Sequence, residues 1–339
     1  MGVDLSGIVE GQRVEIKDFK EKVLAIDGHN TLYQFLATIR QGDGTLLTDS
    51  SGRITSHLSG IFYRVTKFLE MGIKPVFVFD GIPYPQKMRT IEARIAVREK
   101  AMDEWKKALE VGDLETAKSK AQQTSHLTKE MIQQAKKLLA LLGVPCIDAP
   151  RDGEAQASFL VENGDADYSV SQDYDSLLFG SPRLVRNLAI SGKRKLPKKK
   201  EYVEITPELI ELEKFLTKYE ITREQLVDIG ILVGTDFNEG VSGIGAKKAL
   251  RLIKEYGSLE EVIRAKGIEV PAYADARKIF LEPEVNRNYQ LEWHAPDVEG
   301  IVSMLCNEFE FSEERVRKSL EFVKVMRENK TQKSLDDFF

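Results

Sequence analysis

Seven carboxylates in this 339-residue chain are spaced so that they could do chemistry together. Asp27, Asp80, Asp173 and Asp175 end or follow short apolar runs, in VLAID at 23–27, PVFVFD at 75–80 and YSVSQDYD at 168–175. Asp152 and Glu154 precede a helical pattern in APRDGEAQASFL, and Asp236 follows another in ILVGTDFNEG. Gathered in one cleft, such groups raise each other's pKa unless cations compensate them. Oxygen donors with no His or Cys among them suit Mg²⁺ or Mn²⁺ rather than zinc. Two such ions about 3.5–4 Å apart activate a water and stabilise both the attacking and leaving oxygens of a phosphodiester, so phosphoryl hydrolysis is the natural chemistry. Taken singly, each acid reads as a helix cap or Asx-turn. Three strand-ending acids together with the D-x-E and D-x-D pairs point instead to metal.

Basic residues lie within reach. Lys87, Arg94 and Arg98 fall within roughly 40° of one another on a helix. This stripe either holds a scissile phosphate or is a solvated face, with Glu92 and Glu99 supplying ion pairs. Gly243-Ile244-Gly245-Ala246-Lys247-Lys248 opens a helical pattern with no strand before it, which argues against a dinucleotide-binding loop and suits a backbone phosphate at a helix N-terminus. An ordinary interhelical turn has the same look. Lys193–Lys200 carries six basic residues in eight, a candidate for duplex contact or a solvated hairpin loop.

The elements that must position these groups follow from periodicity. Short Val/Ile/Phe-rich runs separated by helical patterns predict a parallel sheet wound with helices, whose ligand crevice lies outside the carboxyl ends of the strands. SHLSGIFYRVTKFLEMG at 56–72 and KEMIQQAKKLLALLG at 129–143 place apolar residues at i, i+3, i+4 and i+7, and each ends at a glycine. From Lys87 to about Ala121 the chain is charged and alanine-containing, which predicts a helical projection that packs little. RLVRNLAI at 183–190 and EYVEIT at 201–206 read as two strands joined by the basic loop. The remainder is mainly helical, through 221–234 and 311–329.

Composition is that of a folded chain, 30% charged and 42% hydrophobic with a formal net charge of −5. No run approaches the roughly 18 apolar residues of a membrane span, and the start lacks the basic and apolar regions of a secretory signal. An intracellular protein with no membrane association is expected. The start also fits a myristoylation pattern through Gly2 and Ser6, without the second signal that stable anchoring needs. Cys146 and Cys306 lie in apolar contexts and read as buried, reduced thiols.

Taken together, AIDGHNTLYQFL with IRQ, RITSHLSGIFYR, GIKPVFVFDGIP, APRDGEAQA, SQDYDSLLFGSPRLVRNL, GKRKLP, ILVGTDFNEGVSGIGAKKAL and the terminal QKSLDDFF resemble the flap endonucleases of the structure-specific 5′ nuclease superfamily, archaeal type, over nearly the whole chain. The resemblance implies an α/β, parallel-sheet-centred (PIN-like) nuclease core with a helical arch insertion and a helix-hairpin-helix DNA-binding region. It divides the chain into a nuclease region at 1–98, the arch continuation at 99–128, an intermediate nuclease region at 129–258 with the helix-hairpin-helix at 236–256, a C-terminal helical region at 259–328 and a tail at 329–339.

The implied activity is metal-dependent 5′ flap endonuclease and 5′→3′ exonuclease cleavage at the ssDNA/dsDNA junction, in Okazaki fragment maturation and base excision repair. Two Mg²⁺, replaceable by Mn²⁺, are implied, one served by Asp27, Asp80, Asp152 and Glu154 and one by Asp173, Asp175 and Asp236. Lys87 and Arg94 match the catalytic basic pair, Tyr33 a base-stacking residue, Arg40 a nearby DNA contact, and Gly2 a residue beside the active site once Met1 is removed. The GIGAKK turn matches the duplex-gripping element, with K⁺ at the turn in some members. Gln332, Leu335, Phe338 and Phe339 match the peptide that docks into a PCNA-type sliding clamp. The implied protein is a DNA-associated monomer acting on branched DNA with a 5′ flap. The alternatives are an excision-repair type junction endonuclease and a non-catalytic clamp-tethered adaptor for branched DNA.

The chain departs from that pattern where Asp152 replaces a usual Glu and where Gly28 and His29 follow Asp27. His29 reads as packing or capping at a helix start. Setting the seven candidate acids aside as one site leaves +2 on the rest of the chain, so the charge distribution favours nucleic acid although the total does not.

Overall fold

A computed structural model describes residues 2–189, 192–195, 202–321 and 323. Its centre is a seven-stranded sheet built from β1 (Gln12–Arg13), β2 (Val23–Asp27), β3 (Lys74–Phe79), β4 (Cys146–Asp148), β5 (Tyr168–Val170), β6 (Arg183–Arg186) and, later in the chain, Glu208–Glu211. A separate antiparallel pair joins β7 (Gly192–Lys195) to β8 (Tyr202–Ile205), which makes Glu208–Glu211 β9. The sheet order is β1-β9-β6-β5-β2-β3-β4. The five strands from β6 to β4 run parallel, and β9 and β1 add an antiparallel edge.

The chain winds from β2 outward through β3 to β4, then returns to the other side of β2 as β5 and β6. The direction of winding therefore reverses beside β2, and the crevice at that switch point is the place where such sheets bind ligands. β2 and β3 are buried on both faces, which explains their continuous rather than alternating apolar runs.

Helices α1 (Gly28–Thr38), α2 (Ser56–Glu70), α3 (Met88–Glu110), α4 (Leu114–Ala121) and α5 (Lys129–Leu141) precede β4. After it come α6 (Gly153–Glu162), α7 (Asp175–Leu178), α8 (Leu212–Tyr219), α9 (Arg223–Val233), α10 (Ala246–Tyr256), α11 (Leu259–Lys266), α12 (Tyr273–Leu281) and α13 (Val298–Val302). One sheet face packs against α1, α2 and α5 through Phe35, Leu58, Phe62, Val65 and Leu138, the i, i+3, i+4 and i+7 sets read from sequence. The other face packs on α6 through Ala157, Leu160 and Val161, with Trp293 covering it from the C-terminal region. A further core joins α7 and α9 to α12 with Val3, Leu5, Ile8 and Val9 of the N-terminal segment.

Two expectations need correction. The run at 183–190 does not pair with 201–206; β6 lies in the main sheet between β5 and β9, and the partner of β8 is β7, drawn from the basic segment itself. Parallel pairing to β5 buries Leu184 and Val185 fully, which an isolated hairpin leaves wet. Cys146 is exposed, because β4 is the sheet's edge and presents alternate residues outward, and Cys306, in the helical turn Ser303–Glu308, is only half-buried. Helix α3 runs unbroken across position 98/99. The basic segment 196–200 and the tail 329–339, with Gln332, Leu335, Phe338 and Phe339, lie outside the described residues.

Candidate active site

Asp27 is the last residue of β2, and Asp80 directly follows β3. Asp27 pairs in register with Val78, two residues before Asp80, so the two acids leave neighbouring strands on one side. The loop after β5 carries Asp173, and Asp175 opens α7. Asp152 is the N-cap of α6, and Glu154 lies in its first turn. Asp236 follows α9. Five of the seven side chains are buried, Asp27, Asp152, Glu154, Asp175 and Asp236, and Asp80 and Asp173 are half-buried.

Helix capping and the cluster are not alternatives here. Asp27 Oδ1 accepts from the Asn30 amide at 2.9 Å, and Asp152 Oδ1 from the Glu154 amide at 3.0 Å. Each carboxylate caps a helix with one oxygen, and Asp152 turns its other oxygen to Lys87. Backbone donors from distant segments orient further members: Gly153 N–H to Asp80 Oδ1 at 2.7 Å and Val3 N–H to Asp175 Oδ1 at 2.7 Å. Ser176 Oγ donates to Glu154 Oε1 at 3.1 Å, and Asn30 Nδ2 to Asp173 Oδ2 at 3.2 Å. Gly2 approaches so closely that a Cβ there would stand 2.5 Å from Asp175 Oδ1.

Burial, then repulsion from Asp80, Asp152 and Asp173, raises the pKa of Asp27 well above the usual carboxylate range, against the Asn30 hydrogen bond. Glu154 is raised likewise by burial and by Asp175, Asp173, Asp27 and Asp152. Asp175 is pushed up to about 8 by burial and by Asp236 and Asp173. Burial opposes the charge on Lys87, but Asp152, Asp80 and Asp236 more than offset it and raise its pKa.

Lys87 Nζ lies 2.6 Å from Asp152 Oδ2 and 3.6 Å from Asp236 Oδ2, and Arg94 Nη2 lies 2.5 Å from Asp236 Oδ1. The basic stripe divides at this point. Lys87 and Arg94 turn to the carboxylates, whereas Arg98 bonds His126 Nδ1 at 2.9 Å. Tyr33 is exposed on α1. Arg40 is committed within the fold, donating to Leu36 O at 2.8 Å, Gly44 O at 2.9 Å and Ser125 Oγ at 3.0 Å. Gly243 and Gly245 form the turn before α10, Gly245 being its N-cap, with Lys247 and Lys248 exposed in the first turn.

The donor set fits divalent cations. It is all oxygen, and the acids with raised pKa are buried groups whose charges a bound cation would offset. As the side chains stand, no three of the described carboxylates, histidines and cysteines draw tightly around one point, and Lys87 and Arg94 supply the positive charge nearest the cluster.

Residues 1–101 match the XPG N-terminal domain and residues 143–236 the XPG I-region. The chain is 50% identical over 339 residues to flap endonuclease 1 of Archaeoglobus fulgidus, covering 100% of both. It belongs to the flap endonuclease 1 family. The homologue from Staphylothermus marinus is 52% identical over 345 residues, with 99% of this chain and 98% of that protein covered. Among solved structures, flap endonuclease-1 from Methanococcus jannaschii superposes with a TM-score of 0.76 at 41% identity, covering 97% of this chain and 100% of that one. The catalytic core of Rad2 in complex with a DNA substrate shares the fold, with a TM-score of 0.69 at 23% identity over 92% of this chain and 96% of that one.

Sequence reasoning missed Arg186. Its Nε donates to Gln172 O at 2.9 Å, its Nη1 bonds the Tyr174 hydroxyl, and its guanidinium lies 4.0 Å over the Tyr174 ring. It thereby brackets the loop bearing Asp173, and its place two residues before the end of LVRNL was the available signal.

Proposed function

We propose that the carboxylate cluster at the strand ends is the metal centre of a structure-specific 5′ flap endonuclease with 5′→3′ exonuclease activity. The observation that carries this reading is the juxtaposition of seven acids, several with raised pKa, and the Lys87/Arg94 pair at the switch point of the sheet. Asp27, Asp80, Asp152 and Glu154 would hold one Mg²⁺ and Asp173, Asp175 and Asp236 a second, with Mn²⁺ able to substitute. When bound, such a pair supplies Lewis-acid activation of water and of the phosphodiester. The chain's own residues do the rest. Lys87 and Arg94 bind the scissile phosphate and offset the charge that grows on it, Tyr33 stacks on the adjacent base, and buried backbone donors hold the acids in place without reorganising. Gly2, next to Asp175, lines the site.

Arg98 on α3 and Arg40 beside Ser125 would contact DNA around the arch, Arg40 by giving up one of its three internal bonds. The turn at Gly243 and Gly245, with Lys247 and Lys248, suits the backbone of the unbroken duplex strand, with K⁺ as a candidate ion there. Gln332, Leu335, Phe338 and Phe339 form a spacing that fits a PCNA-type sliding clamp. These features support a monomeric enzyme acting in Okazaki fragment maturation and base excision repair.

The test is cleavage of labelled double-flap, bubble and blunt duplex DNA with Mg²⁺, Mn²⁺ or EDTA. Metal-dependent incision at the flap junction is expected. Preferential incision of the bubble would favour an excision-repair type enzyme, and binding without any product would indicate an adaptor.

A further inference from the structure

We propose that His29 is a positioning residue for Asp80, setting the height and orientation of that carboxylate at the metal centre. The inference rests on the reading of Asp80 as a metal ligand. At Gly28 strand β2 becomes helix α1, so the ladder that satisfies the β3 amides stops at the point where Asp80 begins. A backbone N–H left there needs another acceptor. His29 supplies it: Asp80 N–H donates to His29 Nδ1 at 3.0 Å. Accepting through Nδ1 places the imidazole proton on Nε2.

The ring is held for this task. It packs edge-on against buried Phe79, with centroids 5.8 Å apart and planes at 72°. Phe79 in turn lies so close to the first turn of α1 that a Cβ at position 28 would stand 2.7 Å from its Cε1. Gly28 and His29, the two departures that follow Asp27, are thus one device. The missing side chain admits Phe79, and Phe79 steers the imidazole onto the Asp80 amide. The Asp80 carboxylate is fixed from the opposite side by Gly153 N–H at 2.7 Å, while its other oxygen lies 3.6 Å from His29 Nδ1. Asp80 is therefore held at its amide from α1 and at its carboxylate from α6. Partners of ligating groups typically govern metal affinity by about 10–100-fold.

The experiment measures Mn²⁺ binding to the full chain by electron paramagnetic resonance without DNA, beside flap-duplex affinity in Ca²⁺ and the half-saturating Mn²⁺ for cleavage. His29→Asn carries an amide oxygen about where Nδ1 sits, whereas His29→Phe keeps the ring and loses the acceptor. His29→Gln, with its acceptor one bond farther out, replaces the Phe variant if melting shows that variant unfolded. Phe or Gln is expected to weaken Mn²⁺ binding about tenfold, with DNA affinity unchanged and cleavage recovered at saturating metal. Asn is expected to stay within threefold of the unaltered chain. Unchanged Mn²⁺ binding in both the Phe and Gln variants, or equal losses in Asn and Phe, would overturn the inference. Asp80→Ala run in parallel separates the two layers: undiminished Mn²⁺ binding there would refute the ligand assignment itself, whatever His29 does.

Discussion

Lys87 Nζ stands 2.6 Å from Asp152 Oδ2, and the contact joins the foot of helix α3 to the N-cap of α6. The same ammonium reaches Asp236 from the far side of the cleft, so one cation ties three separate elements to the carboxylate cluster. Asp152 makes this bond with Oδ2 while Oδ1 caps α6 through the Glu154 amide. The basic pair and the acids therefore act as one electrostatic unit.

Lys87→Ala is expected to lower the single-turnover rate of flap cleavage by about 10²–10³-fold, the usual effect of deleting one preorganised charge at a reacting centre. Quench-flow at saturating Mg²⁺ measures it. A rate within threefold of the unaltered chain would separate Lys87 from the chemistry.

Glu154→Gln is expected to raise the melting temperature of the metal-free protein by a few degrees at pH 8 while abolishing cleavage. Burial and four neighbouring acids oppose the charge on Glu154, and the amide removes that charge while keeping an oxygen for Ser176. Functional sites commonly trade stability in this way. Scanning calorimetry with EDTA provides the check, and a lower melting temperature would contradict it.

Divalent-metal affinity should increase from pH 6 to about pH 8. The raised pKa of Asp27, Glu154 and Asp175, the last at about 8, means that the metal-free site retains protons at neutral pH. A ligating carboxylate must shed them, so binding releases protons and tightens as pH rises. Calorimetric Mn²⁺ titration in buffers of differing ionisation enthalpy reads the number released. Zero proton release would refute the buried acids as ligands.

Acid should destabilise the fold through His57, which burial lowers from its ordinary 6.5 to about 4 despite the bond to Gln134. The folded chain then takes this proton only near pH 4, whereas the unfolded chain takes it near 6.5. The contribution is complete above pH 6.5 and is lost as pH falls toward 4, up to about 3 kcal/mol. Thermal melts of the unaltered chain and His57→Leu between pH 7 and 4.5 test this. The variant's melting temperature should fall less over that interval, and parallel declines would exclude His57.

Much of this was legible in the residues themselves. The apolar runs ending in Asp27 and Asp80 identified β2 and β3, because a strand buried on both faces shows its length and its end in composition alone. The helices at 56–72 and 129–143 were equally plain from their periodicity. The pairing of β6 was not legible, since short strands of similar pattern do not state their neighbours and the basic segment masked β7. Exposure of Cys146 depended on β4 being an edge, which is a property of strand order. Arg186 and His29 act through Gln172, Tyr174 and the Asp80 amide, contacts that only the folded chain brings together. Asp27 and Asp152 satisfied both readings at once, as caps and as members of the cluster.

The most direct test of the account is the single-turnover rate of Asp175→Asn on a double-flap substrate at saturating Mg²⁺, with flap-duplex affinity measured in parallel. Asparagine keeps an oxygen for the Val3 amide and removes only the charge. Loss of a metal-ligating charge worth several kcal/mol predicts a rate at least about 10³-fold lower, with affinity within a few-fold of the unaltered chain. Near-normal cleavage by Asp175→Asn would contradict the assignment of the carboxylate cluster as the catalytic centre.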